Sequence, residues 1–169
     1  MRLLKKIFKY TSFSFAIFFL PSIKAQTVGF RVNLSPVGSF QAESSQVKGK
    51  VQKSADVFKA SDVILSLDTL KTGLELRDSH MKKKYFEIEK FPNATLSAAE
   101  GKDGKFKAQL EIHGIKKEIQ GTYEVKENLI KANFKTKMSD FSIPKASYLG
   151  VGAKDEVEVE ITLPVVEGK

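Results

Sequence analysis

The 169-residue chain has no cysteine, no tryptophan and only two histidines, His80 and His113. Without cysteine there is no disulfide, no thiolate nucleophile and no N-terminal cysteine to carry a lipid. Stability must then come from a packed core or from closure of a sheet. A zinc site usually takes about three or four ligands, and two histidines with no recognisable carboxylate spacing around them do not supply one. No serine sits in a nucleophile elbow, and no glycine-rich loop is spaced to cradle phosphate. The residues therefore name no catalytic group, no metal and no cofactor. A long apolar run is missing too: Thr11 to Leu20, TSFSFAIFFL, falls far short of the roughly 20 residues that cross a bilayer as a helix.

That short run belongs to a different pattern. Arg2, Lys5, Lys6 and Lys9 precede it, Pro21 breaks it, and Ala25 is a small residue just before Gln26. Residues 1–25 read as a secretory signal peptide cleaved after Ala25, with a single domain over 26–169. The expected location is periplasmic or secreted, in a bacterium, with no stable membrane insertion. The leader also accounts for most of the charge. The whole chain carries 28 basic and 20 acidic residues, or +8. Five of the basic residues, with Lys24, lie in the leader, which leaves 23 against 20, or +3. So small an excess gives nucleic acid little to hold, and no such partner is expected. The sequence leaves a homodimer open.

What remains is alternation. Phe106, Ala108, Leu110 and Ile112 share one face of a strand and Lys107, Gln109 and Glu111 the other. After a turn placed over Gly114 to Lys117, Ile119, Gly121, Tyr123 and Val125 alternate in the same way. A second turn, at Glu127–Asn128, leads to Ile130, Ala132, Phe134, Thr136 and Met138. Val157, Val159, Ile161 and Leu163 make a last strand. Toward the N-terminus, strands are read at Val28–Leu34, around Phe40, at Val47–Val51, Val63–Leu67 and Ala94–Ala99. A period of two marks half-buried strands, and the short loops between them imply an antiparallel meander. The fold class is all-β: a closed antiparallel β-barrel of about eight strands, since so many strands in one small chain leave open edges unless the sheet closes. The one long break, Leu67 to Pro92, contains a charged, helix-like stretch from Glu75 to Lys84. A small outer-membrane barrel would alternate as well, but with its apolar face outward. The absence of an aromatic girdle, the many lysines and glutamates on the polar face and the charged helix all argue against it.

Particular pieces carry a family resemblance. In Leu67 to Pro92 the order is Leu67-Asp68, then RDSHM from Arg77, then Tyr85-Phe86 and Phe91-Pro92. Three later pieces follow: LEIHGIKKEI from Leu110, SDFSI from Ser139 and YLGVGAKDEVEVEI from Tyr148. This order resembles the YceI-like family over most of the chain after Gly38. The resemblance implies a lipocalin-like exported barrel that sequesters or carries an elongated apolar ligand, such as a polyisoprenoid or quinone tail, without chemistry. Two positions depart from the pattern: Ser142 stands where the family often has glycine, and Thr27 to Phe40 lacks the histidine often found there. The alternative reading is a stress-related or protein-interaction module with a filled barrel.

The expected apolar lining is Phe86, Phe91, Phe106, Leu110, Tyr123, Phe134, Phe141 and Tyr148, because phenylalanine and tyrosine must line any cavity in a chain without tryptophan. Each is equally at home in a plain core. Arg77 and His80, three apart on one helix face, are the candidates for a ligand head group at the barrel mouth. In the plainer reading Leu74, Met81 and Tyr85 cap the core while Arg77 pairs with Asp78 or a loop carbonyl. His113 is read as an outward turn residue, and Asp140 as shaping the turn with Ser139 and Ser142.

Overall fold

The computed structural model describes residues 26–148 and 150–168; the expected signal peptide lies outside the described residues. Twelve strands form one sheet. They are β1 Thr27–Ser35, β2 Ser39–Ser44, β3 Val47–Lys48, β4 Val51–Ser54, β5 Val57–Ala60, β6 Val63–Ser66, β7 Asn93–Lys102, β8 Lys105–Ile112, β9 Ile115–Lys126, β10 Leu129–Lys137, β11 Ser147–Tyr148 and β12 Val151–Glu167. A ring of β4, β5, β7, β8, β9, β10 and β12 closes when β4 pairs in parallel with the tail of β12, Val51 opposite Val165. β1 and β2 extend the wall beside β12, and β3 and β6 extend it beside β7. The chain is a closed barrel with extra strands, as the alternation predicts.

Local chemistry explains where the strands break. Val47 to Val51, expected as one strand, is two, because Gly49 sits at φ +144 with Val63 packed against its bare Cα; a Cβ there would lie 3.0 Å from the Val63 Cα. Two tight hairpins, Asp103–Gly104 and His113–Gly114, put both turn residues at positive φ, the backbone that matches the twist of the flanking strands. The turn expected over Gly114 to Lys117 is therefore confined to two residues, and β9 begins at Ile115. In β7 the register slips between Ser97 and Glu100, with Ala98 at φ +49. This bulge shifts the inward set from Ala94 and Leu96 to Ala99 and Gly101, where strict alternation would have turned Glu100 inside.

The inward faces are apolar. Phe141, Leu67 and Leu70 are almost wholly buried, each contributing roughly 1.5–3 kcal/mol relative to exposure. Outside, Lys131 pairs with Glu160 at 2.9 Å, and Lys135 with Glu156 at 2.8 Å and Glu158 at 3.5 Å. This charged exterior is the reverse of a lipid-facing barrel. Among the described residues no helix is long and apolar enough to cross a membrane.

The barrel has two unlike ends. One is bounded by tight turns at 55–56, 103–104 and 127–128. The other carries the long connection of residues 67–92, with α1 at Glu75–His80 widening into a π turn over Met81–Tyr85, together with the β8–β9 turn and the link from β10 to β11.

Candidate functional site

An apolar space of about 50 Å³ lies inside the barrel toward the hairpin end. Val51, Phe58, Ala60, Leu96, Ala99, Glu100, Gly101 and Phe106 line it together with Tyr123, Ile130, Ala132, Ile161 and Leu163. The small residues are the reason that space exists. Ala60, Ala99, Gly101 and Ala132 face inward from four different strands, so aromatic neighbours have no partner to fill the gap between them. Phe106 and Phe134 meet edge-to-face, centroids 6.2 Å apart, and Gly121 is what lets them approach. A Cβ on Gly121 would meet the Asn133 carbonyl oxygen, and would lie 2.7 Å from Phe106 Cε1 and 2.9 Å from Phe134 Cβ. Phe58 and Tyr123 stand half-buried at the hairpin end with centroids 5.3 Å apart. The Tyr123 ring lies against Gly101, where a Cβ would come within 2.8 Å of Tyr123 Cε1.

Of the residues expected to line a cavity, Phe106 and Tyr123 border this space. Leu110 and Phe134 are buried in the core around it. The other aromatics gather toward the helical end. Phe86 meets Phe30 edge-on at 6.2 Å, Phe91 lies over the His113 ring at 4.5 Å, and Phe141 is 1 % exposed. Tyr148 pairs with Val151 along the backbone; its side chain lies outside what the structure describes. Sequence reasoning passed over Phe58, Ala60, Ala99 and Gly101. β5 is only four residues long, too short to stand out as an alternating run, and no sequence signal announces the bulge that turns Ala99 and Gly101 inward.

The helical end is pinned by polar contacts. Asp78, buried in α1, accepts from the Thr72 backbone N–H and from Thr72 Oγ1, both at 2.7 Å. The Thr72 hydroxyl bond, with the Thr72 N–H and nearby lysines, holds the Asp78 carboxyl below the usual aspartate range despite its burial. Of the two partners considered for Arg77, Asp78 is taken by Thr72, and the Arg77 guanidinium stacks over Phe40, 4.5 Å from the ring centroid. His80 points to solvent. Ser139 donates its N–H and hydroxyl to Asp155 on β12, at 2.9 Å and 2.6 Å, rather than to Asp140. These two bonds lower the Asp155 carboxyl. His113 is a turn residue, at φ +56, but its ring is tucked inward. Nδ1 donates to the Phe141 carbonyl at 3.1 Å, while Nε2 lies 3.7 Å from Glu87 Oε2. Arg77 and His80 thus sit at the opposite end of the barrel from the apolar space. Among the described residues no cluster of three or more His, Asp or Glu side chains is placed to hold a metal.

Solved structures share this architecture. The chain is similar to BcnA of Burkholderia cenocepacia, at 16 % identity and TM-score 0.61 over 80 % of this chain and 94 % of that one. It is similar to a polyisoprenoid binding domain from Saccharophagus degradans, at 15 % identity and TM-score 0.57 over 81 % and 91 %. The YCEI protein of Campylobacter jejuni matches at 18 % identity and TM-score 0.56, over 98 % of this chain and all of that one. At such identities these likenesses speak for the fold alone. Among curated proteins no match is found. The family model of the YceI-like domain matches residues 22–165, nearly the whole barrel, and by that match the chain belongs to the YceI-like family.

Proposed function

We propose that this protein is an exported, non-catalytic carrier that holds an elongated apolar ligand, a polyisoprenoid, quinone tail or similar lipid, inside its barrel. The observation that supports it most is the apolar space at the hairpin end, lined by small residues interleaved with aromatics. Family membership and the polyisoprenoid binding domain among the structural relatives point the same way. Burial of each ligand methylene is worth roughly 0.8 kcal/mol, so a tail of several prenyl units binds with few polar contacts. The leader-like pattern of residues 1–25 supports the exported part of this reading. In this reading Phe106 and Tyr123 touch the ligand first, and Leu110 and Phe134 shape the wall below them. Phe86, Phe91, Phe141 and Tyr148 come into contact only with a ligand long enough to reach the helical end, where Arg77 and His80 stand.

A second reading has its own observation. A space of about 50 Å³ is roughly a third of an engineered apolar cavity of ~150 Å³ that takes up benzene. A barrel so nearly filled also suits a module whose outer surface meets a protein partner. Native mass spectrometry of the protein recovered from the periplasm without detergent separates the two. A reproducible added mass, lost on solvent extraction and identified as a prenyl lipid, is the expected result. A bare mass, unchanged after incubation with polyprenols and quinones, refutes the carrier.

A further inference from the structure

The carrier reading leaves open how a chain gets in, and the two ends of the barrel differ in a way that decides it. The helical end is closed by directional bonds. Asp78 is tied to Thr72 twice, Asp155 to Ser139 twice, and the His113 ring to the Phe141 carbonyl. Beneath them lie the largest of the fully buried side chains among the described residues, Phe141, Leu67 and Leu70. Opening this end breaks several hydrogen bonds and exposes large buried side chains together.

The hairpin end closes differently. Over the apolar space stand two rings, Phe58 from β5 and Tyr123 from β9, meeting each other at 5.3 Å. The backbone around them is fixed: Tyr123 N–H donates to the Gly104 carbonyl at 2.9 Å, and Phe58 is paired with Gly101. Both rings pack against the core from positions that are only partly buried, and two of Tyr123's neighbours are small: it lies against Gly101 and pairs opposite Ala132. Half-exposed side chains change rotamer far faster than hydrogen-bonded elements open. Swinging one ring outward joins the space of about 50 Å³ to the volume the ring had filled.

We infer that the Phe58–Tyr123 pair is the gate of the site, and that an apolar chain passes into the barrel between the three hairpin turns rather than past the helix. This rests on the carrier reading and deepens it by naming the port. The cargo then travels tail-first, with Phe106 and Phe134 as the first internal obstacle.

The test is stopped-flow uptake of the uncharged fluorophore N-phenyl-1-naphthylamine by the protein recovered from expressing cells, with each variant checked for a native melting profile. Gly101→Ala is the sharpest perturbation, since its new methyl group claims the position within 2.8 Å of Tyr123 Cε1 and pushes the ring aside while deleting nothing. Gly101→Ala, Tyr123→Ala and Phe58→Ala are each expected to speed association by about fivefold or more, equivalent to roughly 1 kcal/mol of barrier. Asp78→Ala, which unties the helix, is expected to leave the association rate within about twofold, less than roughly 0.5 kcal/mol by the same relation. Acceleration by Asp78→Ala with no change in the gate variants would move the port to the helical end and overturn the inference while sparing the carrier. Uptake at the wild-type rate in all three gate variants overturns the gate alone. No uptake by any form, wild type included, removes both.

Discussion

Replacing Ala132 by valine puts two more carbon atoms into the barrel at the point where Ala132 faces Tyr123 across the β9–β10 ladder. On the measure by which one water needs ~10–15 Å³, a space of about 50 Å³ accommodates two methyl-sized groups. A branched residue also suits a strand. Filling the space recovers contact and apolar burial worth up to about 1.5 kcal/mol, at ~0.8 kcal/mol per carbon. For a domain of this size that raises the melting temperature by roughly 3–6 °C, at ~2–4 °C per kcal/mol. The same substitution leaves no room for a tail, so uptake of the fluorophore should fall by at least about tenfold, or ~1.4 kcal/mol. Differential scanning calorimetry and a fluorescence titration on one preparation read both quantities. A melting temperature lowered by several degrees would mean that the interior is already packed to density, because added methylenes in a full core cost about 1–3 kcal/mol. Stabilisation with undiminished uptake would mean that the fluorophore binds elsewhere. Ala132→Phe, the larger filling, adds a whole ring opposite Tyr123 and is expected to abolish uptake at some cost in stability.

Ser142 holds the left-handed backbone, φ 54 and ψ 24, at the end of the turn Met138–Phe141. Ser142→Gly should therefore stabilise the protein by about 0.5–1 kcal/mol, seen as a raised denaturation midpoint; an unchanged or lowered midpoint would show no strain there. Gly121→Ala drives a methyl group into the Asn133 carbonyl and the Phe106–Phe134 pair, and at least about 3 kcal/mol should be lost, since the obstacle is backbone rather than a side-chain tip; a loss under ~1 kcal/mol would refute the packing. Asp78 and Asp155 both have lowered carboxyl pKa values, so their contribution is complete above the ordinary aspartate value of 3.8 and is lost as pH falls through the lower folded value. The Thr72 and Ser139 amide resonances should then each move below pH 3.8 while the Tyr123 amide stays put, and a Tyr123 amide that moves first would refute the assignment.

The strands were legible because one face of each is wet. Phe106 to Ile112 and Ile130 to Met138 alternate against lysine and glutamate, and β8 and β10 appear where that pattern puts them. Legibility failed where a local geometric event resets the period. Gly49, read as one member of an alternating run, is the kink between β3 and β4. Ala98 looks like any strand residue, yet as a bulge it decides that Ala99 and Gly101, not Ala98 and Glu100, face inward. The four residues of β5 are too few to show a period, so Phe58 gave no signal. These are the positions that build the apolar space, whose lining was therefore less readable than the fold. Family resemblance pointed to Arg77 and His80 through the helix, but it says nothing of which end of the barrel a space occupies; that depends on where small side chains coincide across strands.

That coincidence is an argument about design as well as legibility. A barrel of this size with large side chains at every inward position would be solid, and one with small side chains throughout would collapse or fill with water. Here the two kinds are mixed unevenly, and at the hairpin end alanine and glycine stand among Phe58, Phe106 and Tyr123. Phe141, Leu67 and Leu70 are concentrated under the helix, while Ala60, Ala99, Gly101 and Ala132 are concentrated under the hairpins. The helical end therefore supplies stability and fixes the barrel's shape, so the hairpin end can be underpacked without unfolding the whole. Underpacking at a sheet end between tight turns costs little, because each missing contact forfeits only dispersion and no hydrogen bond. A ring pair over such a void is held by weak, non-directional contact, whereas the aspartate-tied helix is held by bonds that must break. The asymmetry makes one end the anchor and the other the opening, and it follows from the placement of a few small residues rather than from any charged or catalytic group.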